Sequence, residues 1–256
     1  METPEEMSYF KLQAYMGTTK HMGGLATTEA LIEMSHIDKD TFVLDVGCGV
    51  GATACYLAKT YGCEVVSVDL REAMVNLANE RAVKEHVTDT LTFKQADAQA
   101  LPFEDARFDV LLCESVLTFI EDKATALEEY VRVVKPGGYI GLNEEFWVKP
   151  PTEPMRHYAR LTWGIETEVL MLEDWMALLR DTSLEDLVVK TYTFDMQRES
   201  TQLKRYTWRD MLRMVYRTVT LYLKSPAFRA YMKERKHLPK DTFEYLAYAV
   251  FVGRRA

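Results

Sequence analysis

The sequence predicts an α/β fold: a doubly wound, mostly parallel sheet with helices on both faces and a helical cap inserted near the C-terminus. Two observations predict it. From residue 26 onward, short β-branched runs alternate with stretches of helical periodicity, a rhythm that parallel strands joined by crossover helices produce. The first strand also runs straight into "VLDVGCGVGATA" (43–54), a glycine turn opening a helix, as nucleotide-binding βα units do.

Taken in order, "ATTEALIEMSHI" reads as a helix, "TFVLDVG" as the first strand, and "ATACYLAKTYG" as a helix stopped at Gly62. "CEVVSVDL" is the second strand, "REAMVNLANERAVKEH" an amphipathic helix and "LTFKQAD" the third strand. "FDVLLCES" is the fourth, "KATALEEYVRVVKPGG" a helix stopped by Pro136 and the glycine pair, and "YIGLNEEFW" the fifth. Beyond it come a helical stretch around 154–180, a strand "LVVKTYTF", a long basic helical region and a last strand "FEYLAYAVFVGRR". The organisation expected is an N-terminal lid segment (1–25), a nucleotide-binding core (26–150), and a completion of the sheet (151–256) carrying a helical cap at about 197–240.

Composition narrows the function. The chain has 256 residues, 48% of them hydrophobic, so disordered and fibrous classes are excluded. No apolar run approaches the ~20 residues a membrane span needs, and "METPEEMSYF" is acidic where a signal peptide would be basic, so a cytoplasmic protein is expected. Cys48, Cys55, Cys63 and Cys113 show no C-x-x-C spacing, and the five histidines no ligand spacing; core thiols and no metal are expected. A formal charge of −8 argues against nucleic-acid binding.

In doubly wound sheets ligands bind at the C-terminal ends of the strands. Those ends carry Asp45 with Gly47 and Gly49, then Asp69, Asp97, Glu114 and the pair Glu144/Glu145. The glycines let a ligand approach the backbone, and helix N-terminal amides favour an anionic group on it. Asp69, twenty residues past Gly49, is placed to accept from both ribose hydroxyls, and Asp97 to accept from an adenine amino group. Gly47, Gly49 and Ala52 fit a dinucleotide fingerprint equally well. An acid before the turn is awkward beside pyrophosphate but suits a cationic amine, and Tyr56 is followed by Thr60 where a reductase would place lysine.

"VLDVGCGVG", "VVSVDL", "QADAQALPF", "FDVLLCESVLTFI" and "RVVKPGGYIGLNE", in this order across residues 20–148, resemble the motif set of class I S-adenosylmethionine-dependent methyltransferases, which are Rossmann-like in fold. The nearest group is the methyltransferase type 11 enzymes that include ubiquinone/menaquinone and sterol C-methyltransferases. The resemblance implies S-adenosylmethionine as cofactor and a small-molecule or lipid-like acceptor. It puts Asp45, Gly47 and Gly49 near the methionine part, Asp69 near the ribose, Asp97 and Ala98 near the adenine, and Glu114 along the cleft, with Cys48, a small buried filler of the loop, and Leu70 as further cofactor-binding candidates. A non-catalytic cofactor-binding regulatory or assembly protein and a nicotinamide-dependent oxidoreductase are the alternatives.

On the substrate side, "HMGG" (21–24) precedes the core's first helix, making His21, Met22 and Gly23 cleft candidates, with Tyr15 closing the same lid. Glu114, Glu144 and His21 are the candidate bases. Trp147, Tyr158 and Tyr206 are candidates for an apolar acceptor pocket. Residues 201–236 hold ten Lys/Arg against Asp210 and Glu234. Within them Arg205, Arg209, Arg213 and Arg217 recur every four residues, a basic helical stripe for an anionic substrate or a membrane surface.

Overall fold

The computed structural model describes residues 9–163, 169–234 and 242–256, without the side chains of Tyr158, Leu161, Thr162, Trp163 and Glu234. Seven strands form one sheet in the order β3-β2-β1-β4-β5-β7-β6. β1 (Phe42–Val46), β2 (Glu64–Asp69), β3 (Leu91–Gln95), β4 (Phe108–Glu114) and β5 (Val134–Trp147) run parallel, and β7 (Leu246–Arg255) inserts antiparallel between β5 and β6 (Leu184–Thr193). β1 is central, paired with β2 on one side and β4 on the other, and it is buried on both faces, Val43 packing into one apolar cluster and Leu44 and Val46 into the other.

Helices α2 (Gly24–Met34) and α3 (Ala52–Tyr61) cover one face, where Leu31, Ile32, Ala54 and Leu57 meet Val43, Val65 and Val110. Helices α5 (Lys123–Val133) and α7 (Leu172–Arg180) cover the other, where Tyr130, Trp175 and Leu179 meet Leu111, Leu142 and Phe251. α4 (Glu72–Glu85) joins β2 to β3, and α6 (Glu153–Trp163) follows β5. Around 154–180 the structure thus has two helices where one helical stretch was read, with Met171 bridging to Trp147 before α7.

One boundary differs more sharply. The helix expected to end at the glycine pair stops at Val133, and Val134 already pairs with Phe108 as strand. The register shifts between Phe108 and Val110, and this irregularity takes up Pro136 and Gly137 (φ 80°) inside the strand's entry. The last strand starts at Leu246, after a helical turn α11 (Thr242–Tyr245).

The cap region between β6 and β7 holds α8 (Met196–Ser200), a 3-10 turn (Thr201–Arg205), α9 (Trp208–Lys224) and α10 (Pro226–Glu234). Thr207 starts α9 with a capping box, accepting from the Asp210 N–H while Asp210 accepts from the Thr207 N–H. At the other end of the chain, α1 (Tyr9–Met16) packs against α9 and α10 through Leu12 and Met16.

Candidate functional site

A cavity of about 230 Å³ lies over the C-terminal ends of β1 to β4. Asp45, Gly47, Cys48, Gly49, Asp69, Leu70, Asp97, Ala98, Glu114 and His21 all line it. The turn after β1 is held down by the Gly47 and Cys48 N–H groups, which donate to Val68 O at 2.8 and 2.9 Å. Gly47 (φ 76°) and Gly49 (φ 52°) are left-handed, and their bareness is used: a Cβ would stand 2.2 Å from Val116 and 2.0 Å from Thr19. Glycine therefore lets two other segments close on the loop.

The carboxylates differ in state. Asp69 receives the Gly49 and Arg71 N–H groups at 2.9 Å each; burial pushes its pKa up while these two donors pull it back. Burial, helped by the charge of Glu114, pushes Asp45 up to about 7; Ser67 donates to it at 3.2 Å. Glu114 is equally enclosed, and burial alone would raise it. His21, Arg205 and the hydroxyls of Thr28 (2.6 Å) and Thr53 (2.7 Å) outweigh that and hold it below the ordinary carboxylate range. Asp97 accepts from the Gln99 N–H at 2.9 Å.

A roof closes the cavity. Phe10 of α1 lies under the Arg71 guanidinium at 3.6 Å and edge-on to Phe119 at 4.8 Å, spanning the ends of β2 and β4. Residues 19–23 are strapped to the cap. Gly23 N–H donates to Glu199 at 2.7 Å, Gln202 donates to Thr19 O at 2.8 Å, and the Tyr206 hydroxyl meets both Thr19 O and Thr19 N–H at 3.2 Å. Arg205 enters the cavity between these contacts, donating to Thr53 at 3.2 Å and to Thr28. Its Nε is buried without a partner.

A model of the methyltransferase domain matches residues 44–142. An uncharacterized protein of Haemophilus influenzae is 30% identical over 186 residues, 72% of this chain and 73% of that protein. The chain belongs to the class I S-adenosylmethionine-dependent methyltransferases. The 27-O-demethylrifamycin SV methyltransferase of Amycolatopsis mediterranei is 32% identical, covering 62% of this chain and 59% of that one. A phosphoethanolamine N-methyltransferase of Triticum aestivum is 26% identical over 72% of this chain but only 36% of its own length. This methyltransferase thus spans about a third of that relative. Among solved structures, a Geobacter sulfurreducens methyltransferase in complex with S-adenosylhomocysteine superposes with a TM-score of 0.72 at 21% identity, covering 98% of this chain and 99% of that one.

The residues of this methyltransferase fit its cofactor. Carboxylates stand at the ends of β1 and β2 and just past β3, able to accept from the amine and hydroxyl donors such a cofactor carries, and an unpartnered buried guanidinium nitrogen stands beside them.

Several expected site residues lie elsewhere. Glu144 does not line the cavity: fully buried, it accepts the N–H groups of Val116 (3.0 Å), Leu117 (2.9 Å) and Thr118 (3.2 Å) and so anchors the turn after β4. Strand alternation turns it away from the cleft, and burial with the neighbouring Glu145 pushes its carboxyl up. Trp147 and Met22 pack together with Met155 and Val169 in a separate apolar cluster. Gly23 (φ 76°) serves the start of α2, where a Cβ would strike Thr27. Tyr15 is exposed on the outer side of α1, its carbonyl accepting from Arg217 at 2.6 Å. Tyr206 holds the strap without lining the cavity. The Tyr158 side chain lies outside the described residues.

The basic stripe is broken at its first member. Arg205 precedes the Thr207 cap, belongs to the 3-10 turn and points inward, whereas Arg209, Arg213 and Arg217 are on α9. Sequence reasoning also missed Thr28, Thr53, Phe10, Arg71 and Ser115 as cavity neighbours. Ser115 carried a readable signal, since it follows Glu114 at the end of β4, and the structure gives it φ 55° and a place in the cavity wall.

Proposed function

We propose that the chain methylates a small-molecule acceptor that enters beside His21, Ser115 and Phe119. The observation that carries this reading is the order of carboxylates along one cavity, Asp97, Asp69, then Asp45 with Glu114, under an aromatic roof. When bound, S-adenosylmethionine supplies an electrophilic methyl on a sulfonium. Asp69 holds the ribose and Asp97 with Ala98 the adenine. Asp45 faces the amine of the methionine part, and Arg205 with the N-terminal amides of α3 its carboxylate.

Phe10 and the strap at 19–23 exclude water, which an in-line displacement between aligned partners requires. His21 is the one base candidate that both lines the cavity and is uncharged. Burial lowers its pKa to about 4, against the raising influence of Glu114 at 3.5 Å. So weak a base suits an acceptor that brings its own lone pair. The relatives named for phosphoethanolamine and for a rifamycin, an N- and an O-acceptor, support a small-molecule acceptor without choosing between those atoms. No helix among the described residues is long and apolar enough to cross a membrane.

Calorimetry with S-adenosylhomocysteine and with NADH tests the cofactor half of this reading. We expect binding of the first and none of the second; the reverse would overturn it. For the acceptor half, turnover is expected on small amines or hydroxyls, and intact cofactor binding without turnover across a broad acceptor panel would replace methyl transfer by a regulatory role.

A further inference from the structure

We propose that α9 seats the enzyme on an anionic lipid surface. The helix carries its apolar side outward. Trp208, Leu212, Val215, Tyr216, Val219 and Leu223, at three- and four-residue spacings, are each more than half exposed, and Met211 and Tyr222 widen the same face. The opposite side holds the protein. Arg217 donates to Tyr15 O at 2.6 Å and Leu221 packs with Phe228 and Tyr231, while Thr218, at the edge beside Met211 and Tyr222, approaches Met16. Amphipathic helices normally bury the apolar side and expose the charged one; here the order is inverted. A contiguous patch on the order of several hundred Å² is the size that marks an interaction surface.

Charge identifies the occupant. Arg209 and Arg213 flank the apolar face on one side, Lys224 ends the helix and Lys204 lies just before it, all exposed, on a chain whose net charge is −8. Two copies meeting on this face would bring these cations together. The helix's one acid, Asp210, is already taken by Lys84 and Thr207, with Arg213 at 3.8 Å. The segments outside the described residues contribute only Met1, Met7, Ile165 and Leu238 as large apolar side chains, too few to cover the face. An apolar strip with Trp and Tyr, edged by Arg and Lys, matches the interfacial zone of a bilayer with anionic headgroups. The seat would lie against α1, whose Phe10 roofs the cavity, so the surface and the active site share one helix.

Co-sedimentation of the full chain with vesicles of phosphatidylcholine, and of phosphatidylcholine mixed with phosphatidylglycerol, tests this. The wild type is expected to sediment with the mixed vesicles at low salt and to be released by high salt. The double variant Leu212→Glu/Tyr216→Glu should bind them roughly tenfold more weakly or worse, with unchanged circular dichroism and unchanged S-adenosylhomocysteine affinity. A wild type that stays in solution with both vesicles overturns the proposal, as does a double variant that sediments like the wild type. Light scattering gives the remaining outcome: a wild-type dimer that the double variant dissolves would make this face a self-interface and overturn the lipid assignment.

Discussion

Arg205, in the turn before α9, and Glu114, at the end of β4, meet on the same two hydroxyls. Thr28 and Thr53 each donate to Glu114, at 2.6 and 2.7 Å, and each accepts from the Arg205 guanidinium. An ion pair spread over two bridging threonines keeps both charges ionised in an enclosed site while leaving the guanidinium's Nε unpartnered.

That free donor gives the first prediction. Arg205→Met should weaken S-adenosylhomocysteine by roughly tenfold to a hundredfold, about 1.5–3 kcal/mol. Binding of 5′-methylthioadenosine, which has no amino-acid carboxylate, should be unaffected. If calorimetry shows both ligands losing equally, Arg205 acts on the fold of the strap and not on the cofactor's carboxylate.

Asp45 makes affinity depend on pH. Its pKa of about 7, raised by burial and then by Glu114, means that the free folded protein keeps a proton the unfolded chain has lost. The stability this provides is complete below the unfolded carboxylate range and is lost as pH rises through about 7. The ionised form is the one that pairs with an ammonium, so S-adenosylhomocysteine affinity should rise across the same window. Asp45→Asn should flatten that rise, and a pH-independent affinity in the wild type would sink the assignment.

His21 titrates the other way. With its pKa lowered to about 4 by burial, against the pull of Glu114, the imidazole should stay neutral as pH falls through 6. Its contribution to stability is present above the unfolded histidine value of about 6.5 and is lost as pH falls from there toward 4. Nuclear magnetic resonance of the ring Cε1–H reads this directly; a midpoint near 6.5 would show His21 open to water.

Glu144 is expected to matter for stability alone. Glu144→Ala removes the acceptor of three backbone N–H groups and should cost about 3 kcal/mol, read from the urea midpoint. The folded fraction should keep its cofactor affinity. Weakened affinity at unchanged stability would return Glu144 to the cleft.

Much of this protein was legible in one dimension. The strand–helix rhythm predicted that β1 to β5 run parallel, and position at the strand ends brought Asp45, Asp69 and Glu114 to one cleft, because a parallel sheet collects its strand ends on one edge. The boundary between α5 and β5 was not legible, since Pro136 and Gly137 punctuate a bulged strand as readily as they stop a helix.

What only the tertiary structure decided were pairings across long stretches of chain. Four arginines at four-residue spacing read as one stripe, yet Thr207 starts the helix after the first of them. That cap turns Arg205 inward to Thr28 and Thr53, 177 and 152 residues away. Likewise, two of the three candidate bases reached the cavity and Glu144 did not. Direction along a strand is periodic, but which buried donors a carboxylate meets depends on the loop folded against it. Local periodicity sets secondary structure and strand-end chemistry; the partners of a buried charge are set by desolvation, which only the packed chain imposes.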